Sequence, residues 1–142
     1  MNIRGCMIGL SAVCVLFAEQ GETKLSFSNL PSAVQKTAKQ ESEGATVRGY
    51  SKEVEHGETL YEVELSINGK TKDLSLDAAG NVVEVEQEVE FNSLPAATKA
   101  ALTKRAAGSK IQKVEKVSKG QDVSYEAVVL SGGKRKEITA RP

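Results

Sequence analysis

Tyr61-Glu62-Val63-Glu64-Leu65-Ser66-Ile67-Asn68-Gly69-Lys70-Thr71-Lys72-Asp73-Leu74-Ser75-Leu76 is the stretch whose reading decides the fold. Tyr61, Val63, Leu65 and Ile67 alternate with Glu62, Glu64 and Ser66. That period of two turns one face of a strand to a core and the other to water. Asn68-Gly69 follows, and both residues tolerate the positive φ of a tight hairpin turn. Thr71 to Leu76 is then the return strand, with Leu74 and Leu76 facing inward.

Reading outward, Asp77-Ala78-Ala79-Gly80-Asn81 is a second turn, into a strand from Val82 to Phe91. There Val83, Val85, Val89 and Phe91 share one face, and Glu84, Glu86, Glu88 and Glu90 share the other. Upstream, Thr46 to Val54 is a less regular first strand. A helix precedes it, with Asn29 placed to cap its first turn and Pro31 where a missing N–H costs little. The helix runs to about Ser42, and Gly44 is placed to end it. The unit is one helix followed by an antiparallel meander of about four strands.

The chain overlays itself at a constant spacing of 64 residues. Leu30-Pro31 falls on Leu94-Pro95, Ala33 on Ala97, Gly44 on Gly108, and Lys52 on Lys116. Tyr61-Glu62 falls on Tyr125-Glu126, Gly69-Lys70 on Gly133-Lys134, and Lys72 on Lys136. The landmarks are a helix start, a helix stop, a strand centre and a turn, so the pattern reads as a structural repeat. In the second copy Ser93 takes the capping position, the helix runs to about Ala106, and Gly132-Gly133 makes the turn. That copy stops at Pro142, without room for a fourth strand. The expected fold class is therefore α+β, a tandem repeat of a helix followed by a three- to four-stranded antiparallel meander, with the helices packed on one sheet face. Whether Val82 to Phe91 joins both copies into one sheet or each packs its own stays open.

The first 18 residues read differently from the rest. Arg4 gives a positive start, Gly5 to Phe17 is uncharged and largely apolar, and Ala18 precedes Glu19-Gln20. Such a run spans about 20 Å, short of the roughly 30 Å hydrocarbon core. It predicts a secretory signal cleaved near Ala18, with no stable membrane span afterwards and a secreted or periplasmic destination. Both cysteines, Cys6 and Cys14, lie inside this leader. The mature part would then have no thiol, which removes a disulfide framework, a thiolate metal site and a cysteine nucleophile together. The expected organisation is a signal peptide over 1–18, a linker over 19–28, a first repeat over 29–91 and a shorter second repeat over 92–142.

The helix opening at Leu30-Pro31, the antiparallel strands and the turn Leu76-Asp77-x-x-Gly80-x-Val82 resemble the PepSY family. Within it, they resemble the PepSY-like group related to the β-lactamase-inhibitor-protein fold. The likeness covers roughly Leu25 to Ala140 in two copies, the second without the Asp-x-x-Gly element. It implies secreted or envelope modules, some proposed to inhibit peptidases and others to bind proteins. It implies no catalytic residues, and fold analogy alone does not assign function.

Few residues suit catalysis, and the reading is of a protein that is not an enzyme. The single histidine, His56, sits in Glu55-His56-Gly57-Glu58, which reads as an exposed hairpin turn. No nucleophile elbow accompanies it, and one imidazole on a turn is a poor metal site. Asp77 to Asn81 lacks the alternating ligands and closing Glu of a calcium loop. Gly132-Gly133-Lys134 leads into a strand rather than a helix N-terminus, so it cradles no phosphate. No cofactor or metal is expected.

Charge is more informative. The chain is neutral overall, yet residues 41–90 carry net −9 and residues 91–142 net +7. This separation makes either the two halves attract one another or the basic half attract an anionic partner. Nucleic acid is disfavoured by export and by the 4% aromatic content. Glu84, Glu86, Glu88 and Glu90 form a row that reads as a solvated face keeping a strand edge soluble. One asymmetry stands out: Glu64 and Ser66 of the first copy become Val128 and Leu130 in the second, so that strand is apolar on both sides. Either the repeats or a partner pack there. The expected contacts are Glu62, Glu64, Glu126, Val128 and Leu130, engaging another exported or envelope protein. Inhibition or regulation of a peptidase is the activity the resemblance suggests. The other reading is an envelope protein binding a cation or an anionic polymer through its acidic row or basic half.

Overall fold

The computed structural model describes residues 22–142. The expected signal peptide lies outside the described residues. Strand β1 (Thr23–Leu25) and a 3₁₀ turn at Phe27–Asn29 lead into helix α1 (Ser32–Glu41). Strands β2 (Thr46–Glu55), β3 (Glu58–Ile67), β4 (Lys70–Leu76) and β5 (Val82–Glu88) follow. A second 3₁₀ turn at Phe91–Ser93 precedes helix α2 (Ala96–Ala106) and strands β6 (Lys110–Lys119), β7 (Asp122–Ser131) and β8 (Lys134–Ala140).

All eight strands form one antiparallel sheet in the order β1-β2-β3-β4-β5-β6-β7-β8. This corrects the expected fold class, a tandem repeat of a helix and a three- to four-stranded meander. The physical reason is the middle of the sheet. β5 pairs with β6 from Val85 opposite Ser118 to Glu88 opposite Glu115. Beyond the last pair, the Val89 N–H donates to the Val114 carbonyl at 2.9 Å. Ending the meander at β5 would leave this row of backbone donors and acceptors unpaired, and pairing across the middle satisfies them.

Both helices lie on the same face of the sheet. Register carries one face from Val63 to Leu74, Val85, Ser118 and Val123. Against it, Leu30, Val34 and Ala38 pack with Val63, Leu65, Leu74 and Leu76. Further along, Leu94 and Leu102 pack with Val114, Ala127 and Ala140. Each fully buried leucine here contributes about 1.5–3 kcal/mol of transfer free energy. The alternation in β3 and β4 thus does what the sequence suggests, and Asn68-Gly69 turns with φ of 51° and 80°.

Other local expectations shift. Asn29 and Ser93 end the 3₁₀ turns, and neither Pro31 nor Pro95, the residues at the helix starts, makes a side-chain cap. The strand begun at Val82 stops at Glu88, so Phe91 opens a 3₁₀ turn rather than extending it. Pairing slips between Ser75 and Leu76, which sets Leu76 opposite Val82. At that turn Gly80 has φ of 82°, and a Cβ on it would lie 2.6 Å from the Ala33 carbonyl oxygen. The Thr37 hydroxyl donates to the Gly80 carbonyl at 2.7 Å, so the turn is clamped to α1.

Candidate functional site

With both helices on one face, no described element covers the opposite one, and the side chains that alternate with the core residues converge there. Glu62 and Glu64 on β3, Asp73 on β4, Glu84, Glu86 and Glu88 on β5, and Glu115 on β6 all point to this open face. Glu126, Val128 and Leu130 extend it on β7, opposite Glu115, Lys113 and Lys110. The five residues singled out from sequence therefore share a face, in two groups. β3 and β7 are four inter-strand steps apart, about 19 Å. Val128 is only 7% exposed and Leu130 is 40% exposed, so Leu130 offers the apolar contact area of the pair.

Most peripheral carboxylates on this face meet a cation, and the others a hydrogen-bond donor. Lys24 Nζ lies 2.6 Å from Glu22 and 2.5 Å from Glu64. Arg48 reaches Asp73 at 2.5 Å and Glu64 at 3.9 Å. Lys113 holds Glu115 at 2.5 Å, and Lys119 holds Glu84 at 3.4 Å. Glu62 accepts a 2.9 Å bond from the buried Ser51 hydroxyl, and Glu88 accepts one from the Thr71 N–H.

The centre is different. Glu86 stands between Asp73 and Val117 in the register, and it takes no hydrogen bond or ion pair among the described residues. Burial first, then the charges of Glu115, Glu84, Glu126 and Asp73, push its carboxyl up to about 8. Glu126 also has neither kind of partner, and burial followed by the Glu137 charge raises its pKa. Burial raises Glu62 as well, with the Ser51 hydrogen bond opposing. Glu86 and Glu126, half-buried with neither a cation nor a hydrogen bond among the described residues, are thus held two strands apart on β5 and β7.

Sequence reasoning missed Asp73, Glu86 and Glu115 as neighbours. It recognised that Glu84, Glu86 and Glu88 share a face but placed them on a strand edge. β5 is central, which is what half-buries Glu86. Glu90 leaves the row, lying beyond the strand where Lys70 pairs with it at 2.5 Å.

Other groups do not assemble chemistry. Carboxylate oxygens of Glu22, Glu62 and Glu64 lie within 4.8 Å of one another, but the Lys24 ammonium already sits on two of the three. The His56 side chain is 92% exposed beside Glu55 in a positive-φ turn. Asp77 is lowered chiefly by the Asn81 side-chain hydrogen bond, which closes its turn. On the helix side, a hollow of about 350 Å³ is lined by Phe91, Thr103, Ala106, Gly108, Ser109 and Ile111, none of them titratable. The excess basic residues are dispersed: Lys99, Lys104 and Arg105 ride on α2, and Lys134, Arg135 and Lys136 on the edge strand β8. No helix among the described residues is long and apolar enough to cross a membrane.

No family model matches the chain, and no curated protein matches it. Solved structures do share its fold. A DUF2874 family protein from Bacteroides ovatus superposes with a TM-score of 0.60 at 19% identity, over 80% of this chain and 81% of that one. A second DUF2874 family protein, from Bacteroides uniformis, gives 0.61 at 18% identity, over 79% and 82%. A BLIP-like protein from Bacteroides fragilis gives 0.53 at 19% identity, over 80% and 89%. The chain is thus similar in fold to DUF2874 and BLIP-like proteins.

Proposed function

We propose that this chain is an exported, non-catalytic module of the bacterial envelope that docks a protein partner on the open face of its sheet. The observation that carries the reading is that face: an eight-stranded surface that no described element covers, whose centre holds half-buried carboxylates and whose β7 end exposes Leu130. Half-burying unpaired carboxylates costs stability, and such costs recur at functional surfaces. The BLIP-like fold supports a protein partner by analogy. The apolar leader supports export, and the turn from Leu76 to Val82 supports a relationship to the PepSY family. A cation or anionic polymer as ligand has less support, because Lys24 already pairs with Glu22 and Glu64 of the acidic trio and the basic residues are spread over α2 and β8.

Cross-linked recovery of partners from the cell envelope, with a tagged chain at low and moderate salt, tests the reading. One protein recovered at both salts, and lost with Leu130→Arg, is the expected result. Leu130 is exposed, so that variant keeps the core intact. Many acidic proteins recovered only at low salt would instead mark the basic half as a general electrostatic surface and overturn the proposal.

A further inference from the structure

The open face also constrains the chemistry of what docks on it, and this step rests on the protein-docking reading. Around its centre the chain supplies one cation for each of Asp73, Glu84 and Glu115, namely Arg48, Lys119 and Lys113. Among the described residues there is none for Glu86 on β5 or Glu126 on β7. These two flank Val117 and Glu115 of β6, with Val117 only 8% exposed. The local arrangement is two carboxylates without a described partner on either side of β6, which presents the buried Val117 next to the Lys113–Glu115 ion pair. A neutral or acidic partner would bury Glu86 and Glu126 further without compensation. A cationic side chain would give each the charge-assisted bond it lacks.

We propose that the open face docks a protein segment presenting lysine or arginine side chains to Glu86 and Glu126, with an apolar residue between them against Val117. Charge complementarity fixes the occupant as basic and the flanking ion pairs limit where it sits. Binding has a chemical signature. Around neutral pH the Glu86 carboxyl carries a proton in the free protein, and pairing with a cation favours its release. Glu126, raised by burial too, adds to the release, whereas Lys113, Lys119 and Arg48 face the same centre but already have partners.

The test uses a synthetic heptapeptide, acetyl-Thr-Lys-Thr-Val-Thr-Lys-Thr-amide, which places both lysines and the valine on one face of an extended strand, and a twin with glutamate in place of lysine. Calorimetry at pH 7 in two buffers of different ionisation enthalpy reads both affinity and proton release. The lysine peptide is expected to bind saturably with release of a fraction of a proton, and the glutamate twin is expected not to bind. Glu86→Gln/Glu126→Gln is expected to weaken binding at least tenfold and abolish the release, while remaining folded by circular dichroism. Equal binding by the wild type and the double variant, or no saturable binding of the lysine peptide, would overturn the inference. The two proposals fail separately. A partner captured from the envelope and lost with Leu130→Arg, yet retained by Glu86→Gln/Glu126→Gln, upholds docking and removes the basic segment.

Discussion

At the scale of single residues, Glu86 concentrates the cost of the open face. Its carboxyl is raised from 4.5 to about 8 by burial and by Glu115, Glu84, Glu126 and Asp73. An acid with a raised folded-state pKa keeps a proton that the unfolded chain gives up. Stability attributable to it therefore falls as pH rises from about 4.5 to about 8 and stays low above that. Glu86→Gln removes this ionisation. Urea unfolding should show little gain at pH 4 and a gain of about 1–2 kcal/mol at pH 9, after allowing for solvent screening. An equal gain at both values would make the effect one of packing rather than charge. Alternation alone reveals that Glu84, Glu86 and Glu88 share a face. It cannot reveal that Val117, some thirty residues away, lies beside Glu86, because that depends on register across strands rather than on any pattern within one.

At the scale of elements, the hairpins were legible and the helix ends were less so. Asn68-Gly69 carries its turn in its own chemistry, since both residues tolerate the conformation required. Helix starts depended on neighbours: Leu30-Pro31 and Leu94-Pro95 follow 3₁₀ turns that take up Asn29 and Ser93, and polar capping residues fit either role. The end of α2 contains a strained position. Ala107 has φ of 48° and ψ of 44°, the left-handed region, just before Gly108. A β-carbon there costs about 1 kcal/mol per residue, so Ala107→Gly should stabilise the protein by about 0.5–1 kcal/mol in denaturant unfolding. Ala106→Gly, one residue earlier and buried in the last helical turn, should destabilise it. A loss of stability in Ala107→Gly would show that chain entropy in the unfolded state outweighs the relief of strain.

At the scale of the whole molecule, the seam between β5 and β6 decides whether the two hydrophobic clusters are one folding unit. The recurring Leu-Pro, Gly and Tyr-Glu landmarks suggest two units, because spacing records sequence similarity and not which strand edges pair. The seam is made mainly of backbone bonds, which leave little mark on composition. It is also where the opposed charges of the halves meet, through Lys119 and Glu84 at 3.4 Å. A continuous ladder transmits loss of order from either side, so Leu74→Ala in the first cluster and Leu102→Ala in the second should behave alike. Each removes a fully buried leucine and should cost about 2–5 kcal/mol. Native-state hydrogen exchange distinguishes the alternatives. With one cooperative unit, Leu102→Ala lowers the protection of amides in β3 and β4 as well as in β7 and β8, by the same free energy in both regions. If Leu102→Ala left β3 and β4 at wild-type protection while β7 and β8 lost theirs, the seam would be a docking contact between independently stable halves. The sheet would then be continuous in geometry but not in energy.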